Sequence, residues 1–288
     1  MTVVSNYTAL LSPGGRGWSL NALPNNPVFV TYSFESSPQS YLAASESAGF
    51  IASFQPFDSN DQQLARNALQ QWDDASGIHF LEVPAGRGDI QFGKYDFSQS
   101  LHAFSGGFAY SPLVNSTFTS EIAGGITGYF QFDAGGDVFI NANFPNNIYL
   151  LLHEIGHSIG LKHPYDADPT LASNLDSNTV MSGIGGLSTL GPLDVQAAQY
   201  LYGPPSADGT QVASWSWDQS TYTLTQTGGA GADTIRVSTA NNVISSGDGD
   251  DTIFLASGII FSGTSVNLLD GGPGNDYLFL DRTTYGGA

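Results

Sequence analysis

Hydrophobic positions in this chain recur with a helical period in some stretches and a strand-like one in others. Over residues 59–73 the apolar set Leu64, Ala65, Ala68, Leu69 and Trp72 falls on one face with polar residues between, which predicts an amphipathic helix. Ser59 followed by Gln62 has the form of a capping box for its start. Residues 145–164 read P-N-N-I-Y-L-L-L-H-E-I-G-H-S-I-G-L-K-H-P and repeat the pattern, with Ile148, Leu152, Ile155 and Ile159 as the buried stripe. Asn146 or Asn147 can cap that helix. Pro192 at a first helical position and Gly203-Pro204-Pro205 as a stop bracket a third helix over 192–202. Residues 28–34, 79–83, 90–95, 104–111, 128–132 and 138–142 are rich in β-branched and aromatic residues and predict strands. Residues 1–27, rich in Gly, Pro, Asn and Ser, predict an irregular segment wrapping the surface.

Beyond residue 215 the pattern changes. G-G-A-G-A-D-T-I-R from 228, S-G-D-G-D-D-T-I-F from 246 and G-G-P-G-N-D-Y-L-F from 271 follow the nonapeptide G-G-x-G-x-D-x-U-x, where U is apolar. The first two begin 18 residues apart. That is two nonapeptides, one full coil of a parallel β-roll in which each nonapeptide is a turn plus a short strand. Asp233 and Asp251 then face a shared gap, with Asp248 and Asp250 beside it and loop carbonyls completing an oxygen cage suited to calcium. The third segment begins 25 residues after the second, out of strict register, and brings Asn275 and Asp276. Ile235, Ile253 and Leu278 are the expected inward-facing positions.

Composition narrows the functions available. The 288 residues carry a formal net charge of −19 with only 7 Lys and Arg. This balance argues against nucleic acid and against an anionic membrane surface, since both need basic patches. No cysteine is present, so neither a disulfide nor a thiolate enters the chemistry, as fits an exported protein stabilised by calcium. No apolar run approaches the about 18 residues of a membrane span. The start, M-T-V-V-S-N-Y-T-A-L-L, lacks the basic region and apolar core of a secretory signal.

The densest chemistry lies in the second helix. His153, Glu154, His157, Gly160 and His163 form a complete H-E-x-x-H-x-x-G-x-x-H pattern, which holds three of the five histidines of the chain. Hydrolysis assisted by zinc needs three neutral nitrogen ligands, an open position and a carboxylate base nearby. His153 and His157 are one turn apart on one face, and Glu154 lies about 100° round from His153. Gly160 lets the chain turn sharply and return His163 to the other two. Pro164 prevents helical continuation. Of the remaining histidines, His79 is expected to pack within a strand, and His102 lies in a loop near the presumed cleft.

The long motif resembles that of the metzincin metallopeptidases. Met181 in T-V-M-S-G matches their structural methionine turn. Pro164 after the third histidine, D-I-Q-F-G-K-Y at 89–95, G-D-V-F-I-N at 136–141, P-L-D-V-Q-A-A-Q-Y-L-Y-G at 192–203 and the glycine-rich repeats resemble the serralysins in particular. The resemblance implies an α+β fold. A metzincin zinc-protease domain over 1–205, with a twisted mixed sheet and long helices, precedes a calcium-binding parallel β-roll over 206–288. It implies zinc on His153, His157 and His163, Glu154 as catalytic base, and calcium on Asp233, Asp248, Asp250, Asp251 and Asp276. It places 90–95 at the sheet edge above the cleft, where Ile90 and Phe92 would meet substrate, because an unpaired edge offers backbone donors and acceptors to an extended peptide. It also implies protein or peptide substrates, room for a proteinaceous inhibitor, no nucleic acid, no membrane insertion, a monomer, and an extracellular location reached by one-step export. Two features depart from the serralysin pattern. Gly183 stands where the family has a tyrosine two residues after the turn methionine, leaving Tyr165 or another tyrosine to take its role. The repeat region is short and the chain ends at Y-G-G-A. An inactive scaffold used for binding or adhesion, and a hydrolase of non-peptide substrates, are the rival readings.

Overall fold

The structure, a computed structural model, describes residues 2–12, 17–18, 27–100, 102–112, 135–184, 186–205, 212–238, 240–255 and 266–280. In chain order its first part contains strands β1 (Val3–Val4) and β2 (Val28–Phe34), helices α1 (Ala48–Ala52) and α2 (Ser59–Ala75), and strands β3 (Ile78–Glu82), β4 (Ile90–Tyr95), β5 (Gly107–Ala109) and β6 (Val138–Asn141). Helix α3 (Ile148–Ser158), strand β7 (Thr170–Leu171) and helix α4 (Pro192–Tyr202) complete it. The strand expected over 128–132 and the C-terminal Y-G-G-A lie outside the described residues.

Five strands form one mixed sheet in the order β3-β2-β4-β6-β5. The first four are parallel and β5 runs antiparallel to β6. Helices α2 and α3 pack against each other on the sheet. Their shared core includes Ala65, Ala68, Leu69, Trp72, Leu152, Ile155 and Ile159, the two stripes legible in the sequence. Trp72 is fully buried, and its indole donates a hydrogen bond of 3.2 Å to the Leu152 carbonyl. A second, aromatic cluster of Phe50, Tyr95, Phe97, Phe108 and Phe139 packs together with Leu42.

Three expectations are corrected here. The start of α2 is capped one residue earlier than Ser59. Asp58 Oδ1 accepts from the Asn60 and Asp61 amides, and Asp61 Oδ2 accepts from the Asp58 amide, so the reciprocal pair is Asp58 and Asp61. Strand β4 is interior, paired with β2 on one side and β6 on the other. Ile90 and Phe92, expected at an open edge, are fully buried in the core. Among the described residues the last strand of the sheet beyond β6 is β5, shorter than the 104–111 expected; Phe104 lies outside it, 98 % exposed in a turn.

The second part holds β8 (Ser214–Asp218), β9 (Thr223–Thr227), β10 (Thr234–Arg236), β11 (Asn241–Ser245), β12 (Thr252–Leu255), β13 (Asn267–Asp270) and β14 (Tyr277–Leu280). These form two facing sheets, β8-β9-β11-β13 and β10-β12-β14, parallel except for β8 on β9. Thr234 pairs with Thr252 and Thr252 with Tyr277, so the third repeat stands in line with the other two. Its extra residues fall between β12 and β13, and the pairing of β11 with β13 and of β12 with β14 is intact on either side. Ile235 and Ile253 are buried with Val212, Val237 and Ile244. Leu278, expected inside, is 53 % exposed because it belongs to the last described coil.

The core of the roll shares no residue with the zinc-helix core. The two parts meet through Trp215, whose ring centroid lies 4.9 Å from Phe29 and 5.0 Å from His79. His79 is thus a packing residue, as expected. Gln219 adds a hydrogen bond of 3.0 Å to the Glu82 carbonyl. No described helix is long and apolar enough to cross a membrane.

Aspartates tie successive coils together. Asp251 Oδ1 accepts from the Asp233 amide at 2.8 Å, and Asp276 Oδ1 from the Asp251 amide at 3.0 Å. Asp251 is fully buried, and its Oδ2 has no partner among the described residues. Asp251→Ala should therefore leave the Asp233 amide unsatisfied at a cost of about 1–3 kcal/mol. Limited proteolysis should then cut within 212–280 first while the α3 region stays protected. Simultaneous loss of both regions would show that the two cores unfold as one.

Candidate metal centre

Helix α3 presents its ligands through a defined start and stop. Asn147 Oδ1 accepts from the Leu150 amide and caps the helix. Gly160 has φ +102, a left-handed conformation that glycine adopts without a Cβ clash. The chain reverses there and carries His163 back over the helix.

Three imidazoles meet as a result. Nε2 of His153 lies 3.1 Å from Nε2 of His163 and 3.2 Å from that of His157, and the His157–His163 separation is 3.1 Å. Each ring commits its other nitrogen elsewhere. Nδ1 of His153 donates to the Val180 carbonyl at 2.7 Å, Nδ1 of His157 to the Leu161 carbonyl at 2.9 Å, and Nδ1 of His163 to Asp166 Oδ2 at 2.8 Å. A carbonyl can only accept, so the proton sits on Nδ1 of His153 and His157, and their Nε2 lone pairs point inward. Burial, foremost, holds the His153 imidazole down to about 4 and the His157 imidazole down to about 3, keeping both neutral. Nitrogens bound tetrahedrally to zinc at about 2.0–2.1 Å sit about 3.3 Å apart, so the donor set fits that ion. Among the described residues this triad is the group of three ligating side chains within 4.8 Å. The five calcium-assigned aspartates do not converge in that way. Asp248 and Asp250 are exposed, while Asp233, Asp251 and Asp276 stack along the coils.

Glu154, next to His153, is buried. Burial alone pushes its carboxyl up to about 8 in the metal-free site. Its carboxylate packs on the backbone of β5. A Cβ at Gly107 would lie 2.7 Å from Glu154 Oε1 and 2.9 Å from its Cδ. Any side chain at 107 would displace the carboxylate. Sequence reasoning missed Gly107, and the Gly106-Gly107 pair inside an apolar run was its only signal.

Met181 is fully buried beneath the helix, where a Cβ on Gly156 would come within 2.4 Å of its sulfur. The turn is held by Asp194, whose carboxylate accepts from Thr179 Oγ1 and from the Val180 and Gly191 amides. Gly183 follows at φ +74 with open space around it. The Tyr165 hydroxyl donates to Asp176.

The family scan agrees with this geometry. The matrixin profile of the M10 peptidases matches residues 52–203, and the profile of the RTX calcium-binding nonapeptide repeat matches 227–259 and 257–282. The chain belongs to the matrixin family. Matrixin membership implies zinc at the triad, and the RTX repeats imply calcium in the roll. Serralysin G of Dickeya chrysanthemi is 28% identical over 222 residues, covering 67% of this chain and 43% of that protein. A serralysin of Photorhabdus laumondii is 29% identical over 180 residues, 53% of this chain and 35% of that protein. The metallopeptidase AprA of Pseudomonas marginalis is 28% identical over 232 residues, 70% and 45% respectively. The chain thus spans less than half the length of these curated relatives.

One feature of this matrixin domain lay unread in the sequence. The N-terminal segment straps the loop that carries His163. Strand β1 pairs with β7, Leu11 bridges Leu161, and the Lys162 amide donates to the Leu10 carbonyl. Lys162 itself is buried. Its ammonium donates to the carbonyls of Ala9 at 2.6 Å, Ala167 at 3.1 Å, His163 at 3.3 Å and Pro169 at 3.4 Å.

Lys162→Met should strip those carbonyls of their donor and loosen the third ligand, weakening zinc binding by about 10–100-fold, the usual cost of losing an outer-shell partner. Competition with a chromogenic chelator measures it; unchanged affinity in a folded variant would refute the role. A pH effect follows from the imidazoles. The unfolded chain takes up protons near 6.5, whereas folded His153 and His157 resist until about 4 and 3. More protons are bound by the unfolded state in that window, so stability falls as pH drops. The metal-free protein should lose thermal midpoint between pH 6.5 and about 4, and a double His153→Gln, His157→Gln variant should lose less.

Proposed function

We propose that this chain is a zinc-dependent endopeptidase that hydrolyses peptide bonds of proteins outside the cell. Its catalytic domain is residues 1–205, and a calcium-stabilised roll follows over 206–288. The observation that carries this reading is the convergence of three Nε2 atoms at 3.1–3.2 Å on the helix that also holds the buried carboxylate of Glu154. Names of the relatives, serralysin and metallopeptidase, support it.

His153, His157 and His163 hold the metal. When bound, zinc polarises a carbonyl and makes water a nucleophile at neutral pH. The residues of the chain perform the remaining steps. Glu154 accepts a proton from the attacking water at its carboxylate and delivers it to the leaving amine. A cation beside that carboxylate lowers it from the metal-free value of about 8, bringing the base toward neutral pH. Gly107 keeps the backbone of β5 close against Glu154, so a substrate lying along that strand meets the base. Backbone pairing of an extended peptide to a terminal strand is the expected mode of alignment. Strand β5 takes over the role first expected of Ile90 and Phe92.

Gly183 favours the rival reading of a weakly active or inactive scaffold. It offers no hydroxyl to the developing oxyanion, and a missing donor costs about 10²–10³ in rate. Its φ of +74 also means that a tyrosine there would sit in a left-handed backbone. Hydrolysis of casein with and without chelator separates these readings. Glu154→Gln should bind zinc and fold normally but lose activity by about 10²–10⁴-fold. More than about a tenth of the wild-type rate would remove Glu154 from the role.

A further inference from the structure

A pocket of about 270 Å³ opens behind the metal centre. Its wall is continuous with the centre itself. Tyr149 lies one turn before His153, with ring centroids 6.1 Å apart. Thr179 and Ser182 line the pocket and bracket Val180, whose carbonyl holds Nδ1 of His153. The pocket therefore adjoins the ligand His153 through Tyr149 and the Thr179–Ser182 turn.

The lining has a particular chemistry. Ile184, Leu187 and the Tyr149 ring supply apolar surface. Among the described residues Asp176 is the one carboxylate in the lining, and no lysine, arginine or histidine lines the pocket. Asp176 Oδ1 accepts from the Tyr165 hydroxyl, and no cation pairs with Asp176 among the described residues. Apolar side chains set among neutral polar ones, beside an anion unmatched by a cation, suit a long methylene stem ending in a positive charge. The net charge of −19 adds a field that draws basic segments toward the protein.

We propose that this pocket selects a lysine or arginine side chain next to the scissile bond, with Asp176 as the specificity-determining residue. The inference rests on the endopeptidase reading for its substrate. The zinc-loaded full chain would be assayed on peptides differing only at one residue flanking the cleaved bond: Arg, Lys, Leu, Gln or Glu. The expected kcat/KM for the better basic peptide exceeds that for Leu by about 10–100-fold, the discrimination a charge-assisted hydrogen bond gives. Comparing Arg with Lys tells whether a bidentate fork or a point charge is preferred. In Asp176→Asn the basic-to-leucine ratio should collapse to within about threefold of unity, and in Asp176→Lys the preference should pass to Glu. A wild-type enzyme with no basic preference, or an Asp176→Asn variant whose ratio is unchanged, overturns the proposal. If wild type cleaves no peptide, the endopeptidase reading fails separately. The pocket is then judged by calorimetric binding of the Arg and Leu peptides to zinc-loaded Glu154→Gln with and without Asp176→Asn. Equal binding of both peptides before and after the substitution also overturns it.

Discussion

Three imidazole nitrogens within 3.2 Å of one another, at least two with their proton committed to the far side of the ring, repel unless a cation stands between them. The surrounding structure is arranged to enforce that convergence. The Val180 carbonyl fixes His153, the Leu161 carbonyl fixes His157, and Asp166 fixes His163. Each partner is held in turn: Val180 by Asp194, Leu161 by its bridge to Leu11, and the His163 loop by Lys162. The acceptor at Nδ1 fixes the tautomer and orientation of each ring, and here backbone carbonyls hold two of the three. The site is therefore coupled to elements remote in sequence, from residue 2 to residue 194.

Lys162 is the least expected of these supports. A buried ammonium is costly unless its donors are met, and here four carbonyls from the N-terminal segment and the 163–169 loop meet them. The cation acts as a fixed internal clamp beside the metal, joining the chain's first residues to its third ligand. Glu154 stands in a different balance. Its burial disfavours charge, so ionisation of its carboxyl is favoured by a cation held at the triad beside it. The absence of a side chain at Gly107 lets β5 press against it.

The roll solves a separate problem. Its coils are too small to bury much apolar surface, and Asp251 and Asp276 compensate by accepting hydrogen bonds from the amides of Asp233 and Asp251 in the coil before. That ladder leaves Asp251 Oδ2 buried without a partner among the described residues, a place where a cation lowers the free energy. Trp215 fastens the roll to the sheet through Phe29 and His79 while the two cores stay distinct.

Local chemistry was legible in the sequence because it obeys local rules. Helical spacing brings His153 and His157 together, glycine permits the turn at 160, and nonapeptide periodicity stacks Ile235 on Ile253. The bounds of β2, β4 and α4 followed from residue type and punctuation in the same way. What failed was everything set by who lies beside whom. The 90–95 strand reads the same whether it is paired on one side or two, since its apolar run records burial and not sheet order. The role of Gly107 depends on a carboxylate 47 residues away pressing on its backbone. The in-line third repeat depends on extra residues falling between β12 and β13, and Lys162 depends on carbonyls that the folded N-terminal segment and the 163–169 loop supply together. Sequence alone determined which three imidazoles and which carboxylate share one helix and the turn that follows it. The tertiary structure decided what holds them, because strand order and long-range contacts carry no periodic signal along the chain.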